Sequence, residues 1–217
     1  MIEIKCTDVQ GFPVAIRGMR NAYNSWDSSD SSFGNPNNTW LGTNDKNLMM
    51  KLIKLGSDHS KFMRFITVTC DVTAPMYWWK QFDTYKVGTV RNSCSTMHKI
   101  ADKEFTLDDF SLEHLEDDVR EHFENNVLDL LNQVRDVYVN YDKYQSEGKL
   151  TDVATKKQVW WQMIQFLPSS YNQKSTILLN YQVLRSMYHS RKGHKLDEWH
   201  DFCLWIESLP YSFLITE

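Results

Sequence analysis

The stretch that most restricts the fold of this 217-residue chain is Leu112–Tyr144. Leu115, Val119, Phe123, Val127, Leu130, Leu131, Val134 and Tyr138 recur there at three- and four-residue intervals, the period of an amphipathic helix. A helix this long needs a partner surface for its apolar stripe. The acidic run within it, Glu113–Glu124, reads as the solvated face. A second period follows the Gln145–Lys149 linker. Asp152–Leu167 reads as another helix, with Trp160 and Trp161 as core packing.

The earlier part of the chain has strand character. Residues 2–6 alternate as a short strand, and Phe62–Val72 is β-branched and alternating. Thr73-Ala74-Pro75 ends that strand and starts a short helix over Met76–Phe82. Between the two strands, Asp45 is placed to cap a helix running to about Leu55, with Gly56 as its stop. Near the C-terminus, Leu196–Leu209 reads as an amphipathic helix ending before Pro210. The expectation is one α+β domain over residues 1–217. Its antiparallel sheet is flanked by helices, including one long helix.

Two segments carry candidate chemistry. Residues 17–44 are rich in Asn, Ser, Asp and Gly and read as a long loop. Arg17, Arg20, Asn21, Asn24 and Trp26 form an anion-and-ring contact set in it. The second segment is Trp78–Lys99. Trp78, Trp79, Phe82 and Tyr85 offer flat rings, while Lys80, Lys86, Arg91 and Lys99 offer cations. Asn92, Ser93, Ser95, Thr96 and His98, with short hydrogen-bonding side chains, complete a set suited to a planar heterocycle bearing phosphate.

The composition excludes several classes. A net charge of −4 argues against nucleic acid as a partner bound through bulk charge. There is no apolar run long enough for a membrane span and no signal-peptide layout. Cys6, Cys70, Cys94 and Cys203 lie far apart, which points to reduced thiols in a cytoplasmic protein. His189, His194 and His200 lack zinc spacing, so no metal is expected. Cys94 and His98, four residues apart, would share a helix face as a nucleophile pair, but lack a placed carboxylate.

The Trp78–Lys99 segment resembles the signature of the flavin-dependent thymidylate synthases. That signature reads Arg-His-Arg, seven or eight residues, Ser, within a pattern ending Asn-x-x-Ser-x-Arg-Tyr. Asn92, Ser95 and Thr96 follow its second half, with Met97 and His98 in place of Arg and Tyr. Thr84-Tyr85-Lys86 occupies the Arg-His-Arg place. Upstream, where the family has His-x-Ser-x-x-Glu-His, Asp58 falls on the first His and Ser60 on Ser. Met63 and Arg64 take the Glu and second His places. Downstream, Asn180-x-x-x-Leu184 and Ser190-Arg191 follow the family's Asn-x-Arg-x-Leu and Leu-Arg without a gap. Glu198 matches the last motif, and the resemblance spans roughly Lys46–Ile206.

The resemblance implies FAD as cofactor, with NADPH and methylene-tetrahydrofolate as co-substrates. A one-carbon unit would pass to C5 of dUMP or a related pyrimidine nucleotide. It further implies Arg191 as the catalytic arginine, gripping the substrate with Lys86 and Ser95. Ser60, Tyr85, Lys86, Asn92 and His194 would contact the flavin. The family's homotetramer, with sites shared between subunits, is the expected assembly. The missing arginines leave a second reading, a catalytically degenerate nucleotide-binding or regulatory protein on the same scaffold.

Overall fold

The computed structural model describes residues 1–33, 40–150 and 155–217. Part of the expected loop, 34–39, and the start of the helix expected from Asp152 lie outside them. The fold is α+β with a four-stranded antiparallel sheet. Its strands are β1 (Glu3–Gln10), β2 (Thr67–Pro75), β3 (Val90–Ser93) and β4 (Asn172–Asn180), in the order β1-β2-β4-β3. The two central strands show the alternation a one-faced core requires. On β2, Val68, Cys70, Val72 and Ala74 are buried; on β4, Ser175, Ile177 and Leu179 are.

The strand expected from Phe62 begins only at Thr67. Lys61–Phe65 forms a 3₁₀ turn instead, closed by Ile66 N–H donating to the Met63 carbonyl at 3.3 Å. Phe62 and Met63 are adjacent and both buried, which a turn permits and a strand facing one core does not.

The chain folds as two compact units. The first comprises Met1, Thr73–Lys80 and Ser93–Lys174. Its core joins Ile100, Phe105, Phe110, Leu112, Leu128, Leu131 and Met163. The expected long helix begins at Asp117 rather than Leu112. It runs α5 (Asp117–His122), a π-wound stretch over Phe123–Leu128, α6 (Asp129–Val139), and after a break α7 (Tyr141–Ser146). Phe110, in an isolated antiparallel bridge with Tyr171, and Leu112, in irregular chain, are buried ahead of the helix. α8 (Lys156–Phe166) packs on α6 and starts at a capping box made by Thr155 and Gln158. Trp78 and Trp79 are fully buried in this unit, with Trp79 Nε1 donating to the Gln173 carbonyl at 2.8 Å. They are core, not the ligand-stacking surfaces that the sequence put forward. Truncating such a side chain costs about 3–5 kcal/mol.

The second unit comprises Ile2–Val72, Gln81–Asn92 and Ser175–Glu217. It opens with a helix the sequence reading missed, α1 (Phe12–Arg20). Phe12, Ala15, Ile16 and Met19 are its buried stripe, and Pro13 sits in its first turn. Gly11 precedes it at φ 97°, and a Cβ there would lie 1.8 Å from the Phe65 carbonyl oxygen. Only glycine allows that approach. Arg17 and Arg20 are therefore helical residues, not loop residues.

α2 (Thr43–Lys54) begins two residues before Asp45. Asp45 is fully buried inside the helix rather than capping it. Asp30 does the capping: its carboxylate accepts Asn44 N–H at 2.9 Å and Asp45 N–H at 3.1 Å. Asp45 in turn pairs with Arg20 Nε at 2.7 Å and accepts the Ser29 and Ser31 hydroxyls, each at 2.7 Å. Burial alone would disfavour its charge. The bonds from Ser31, Ser29 and Arg20, with the Arg20 charge, outweigh that and hold the carboxyl below its usual range. The unit closes with α9 (Tyr181–Arg191), α10 (Asp197–Glu207) and α11 (Phe213–Thr216).

Candidate functional site

The site is built where the chain leaves α3 (Met76–Phe82) and where α9 begins and ends. Phe82 is buried against Phe202 of α10, ring centroids 6.4 Å apart, and anchors the turn that follows. Residues 84–88 then run past the start of α9. Asn180 caps that helix, accepting Val183 N–H at 2.9 Å. Gly88, at φ 78°, lets the turn approach: a Cβ there would lie 2.7 Å from Asn180 Nδ2.

Between them lies a cavity of about 350 Å³. Arg64, Tyr85, Lys86, Asn180, Gln182 and Ser186 supply its polar lining. Arg64 and Lys86 are exposed cations. Ser60 is buried behind the wall, its hydroxyl donating to Gln182 Oε1 at 3.0 Å.

Tyr85 links the cavity to the end of α9. Its hydroxyl accepts from Arg191 Nε at 2.9 Å. The guanidinium lies over two rings, 4.8 Å from the Trp199 centroid and 5.4 Å from that of Tyr85. Gln81 Oε1 accepts both Arg191 Nη1, at 3.3 Å, and Trp199 Nε1, at 2.9 Å. Among the described residues Arg191 meets no carboxylate, and two of its five N–H donors are engaged. A half-buried guanidinium held by neutral acceptors and aromatic faces keeps its full charge and part of its donor fork.

His194 follows, its ring 6.3 Å from Trp199 and its Nδ1 accepting Leu196 N–H at 3.1 Å. Desolvation first, then the charges of Arg191 and His200, push its pKa below the usual imidazole value. Neutral His194 therefore dominates at pH 7.

Thus Tyr85, Lys86, Arg191 and His194 fall in one neighbourhood, with Ser60 behind it. Asn92 is exposed on β3 and is not among the cavity-lining residues. Ser95 belongs to the first unit, where it caps α4 (Thr96–Lys99) and accepts His98 N–H at 3.3 Å. Cys94 precedes that helix, so it does not share a helix face with His98. Arg91 and Lys99 are not spare cations. Arg91 Nη1 donates to both oxygens of Asp83, at 2.9 and 2.8 Å, and Lys99 pairs with Asp102 at 2.8 Å. Gln81, Trp199 and Asn180 were not singled out as site residues. The one available clue was that Gln81 and Tyr85 stand four apart.

No protein-family model and no curated protein matches the sequence. Solved structures do match in shape. Thymidylate synthase X (ThyX) from Helicobacter pylori, with FAD and dUMP, superposes at a TM-score of 0.67 with 14% identity, over 100% of this chain and 97% of that one. The fold is that of thymidylate synthase X. A second structure, of flavin-dependent thymidylate synthase ThyX from Helicobacter pylori complexed with FAD and dUMP, gives the same score and identity over 98% of this chain and 97% of that one. The ThyX-like fold expected from scattered motifs is thus present at an identity too low to carry the activity with it. Among the described residues, no group of three or more His, Cys, Asp or Glu could hold a metal ion. No helix among them is long and apolar enough to cross a membrane.

Proposed function

We propose that this chain is a flavin-dependent thymidylate synthase-like enzyme acting at C5 of dUMP or a related pyrimidine nucleotide. The observation that carries the reading is the Arg191–Tyr85 hydrogen bond. It joins two segments, far apart in sequence, that independently resemble the same family's nucleotide and flavin motifs. The shared fold with dUMP- and FAD-bound thymidylate synthase X supports it.

In this reading Arg191 binds the substrate phosphate with its unengaged N–H donors, and Arg64 and Lys86 add positive charge at the cavity. Tyr85 orients Arg191 and presents a ring. Ser60 fixes Gln182. His194, neutral, is a hydrogen-bonding group toward the flavin. Asn92 is assigned there by the resemblance alone, and Ser95, which belongs to the first unit, is left out of it. A cavity of about 350 Å³ suits a mononucleotide. The Tyr85 ring and flanking cations fit one end of FAD, while a whole dinucleotide exceeds this volume. We therefore assign the remainder of the FAD to a neighbouring copy in a homotetramer. FAD, when bound, supplies the reducing equivalents that complete the one-carbon transfer, with NADPH and methylene-tetrahydrofolate as co-substrates.

A second reading, a nucleotide-binding protein without catalysis, is favoured by one feature. Arg91, the arginine nearest the degraded signature, is neutralised by Asp83. Absorption spectra of the purified protein with added FAD, followed by dUMP-stimulated NADPH oxidation, separate the two. Flavin bands with turnover support the enzyme. Nucleotide binding without flavin supports the second reading.

A further inference from the structure

A second cavity in the same unit, of about 390 Å³, shares no lining residue with the nucleotide site. Pro13 and Ile16 of α1 form one side, Trp26 and Phe33 supply rings, and Arg17 completes it. The rings are fixed from outside. Trp26 Nε1 donates to Asn21 Oδ1 at 2.9 Å. Phe33 stacks on Phe12, centroids 5.3 Å apart and planes 6° apart, and meets the edge of Tyr211 at 6.2 Å. The wall also holds Arg20, whose charge Asp45 neutralises. Arg17 differs: it is exposed and has no ion pair or hydrogen bond among the described residues.

We propose that this cavity binds a small aromatic anion, one or two fused rings bearing a carboxylate or phosphate. The ring would lie against Trp26 and Phe33, with the anionic group on Arg17. Three observations converge on that class. The volume is near the lower end of ligand pockets, roughly 300–1,000 Å³, which limits the ligand to one or two rings. The walls are aromatic and pre-positioned, so ordering them on binding costs little. Among the described lining residues the one uncompensated charge is a guanidinium, which forks an oxyanion and disfavours a cation.

The test is calorimetric titration of the full chain with 2-naphthoate, alongside 2-naphthalenemethanol and cyclohexanecarboxylate. Saturable binding is expected for 2-naphthoate, with a shift of the Trp26 indole N–H resonance. Each control should bind more weakly, since one lacks the charge and the other the rings. Arg17→Ala should weaken 2-naphthoate by about tenfold or more, the loss of one charge-assisted bond. Because Arg17 is exposed and unpaired, this variant should keep the wild-type melting temperature. Trp26→Ala should weaken binding as well, and dUMP should not compete. Absence of saturable binding, an unchanged Kd in Arg17→Ala, or competition by dUMP would each overturn the assignment.

Discussion

Arg20 and Arg191 both end a helix of the second unit, yet the chain uses them oppositely. Arg20 is buried and faces the Asp45 carboxylate at 2.7 Å. Arg191 is half-buried and faces a tyrosine hydroxyl, a carboxamide oxygen and two rings. The first arrangement cancels a charge and holds residues 29–31 to α2. The second holds a charge in place without cancelling it. An arginine oriented by neutral partners is one whose charge remains for something else to meet.

The largest effect should come from breaking the first arrangement. Removing one partner of a buried ion pair leaves the other uncompensated, so Asp45→Ala should lose about 3–5 kcal/mol in urea unfolding. The same pair sets a pH signature. Asp45 titrates below its usual value, so its contribution is complete above the ordinary carboxylate pKa, about 4, and fades as pH falls through the depressed value. Wild type should therefore lose stability on acidification through that window, and Asp45→Asn should lose less. If the two acid profiles coincide, the pair is not what stabilises this corner.

Smaller effects should separate orientation from charge at Arg191. Gln81→Leu removes the acceptor that Arg191 and Trp199 share. One neutral hydrogen bond is worth about 0.5–1.5 kcal/mol, so nucleotide affinity should fall about two- to tenfold while the charge remains. Lys86→Ala removes an exposed point charge, so its effect should be about two- to fivefold at low salt and should shrink as salt rises. A Lys86 effect insensitive to salt would place that side chain in direct contact with the ligand.

How much of this the sequence disclosed follows from the range of the interactions involved. Regular alternation marked β2 from Val68 onward, and Pro75 marked the start of α3, because both signals are local. α1 was hidden because Gly11, Pro13 and Gly18 resemble loop punctuation. Its buried stripe makes sense only once Gly11 is seen against the Phe65 carbonyl. Asp45 looked like a cap because its partner is 25 residues away. Trp78 and Trp79 looked like a ligand platform because composition does not distinguish a buried indole from an exposed one. At the site, matching motifs placed Tyr85 and Arg191 in one neighbourhood, and they meet at 2.9 Å. Gln81, which ties Arg191 to Trp199, carries no sequence signal of that role beyond its four-residue spacing from Tyr85, since its carboxamide is defined only by what it touches.

The most direct test of the account is titration of dUMP into wild type, Arg191→Ala and Arg191→Lys, each with its melting temperature. Loss of a charge-assisted bond is worth about 1.5–3 kcal/mol, so Arg191→Ala should raise the Kd by about 10- to 100-fold. Lysine, a point charge without the fork, should restore only part of that affinity. Equal dUMP affinity in wild type and Arg191→Ala, or no dUMP binding by wild type, would contradict the claim that this guanidinium is held ready for a phosphate.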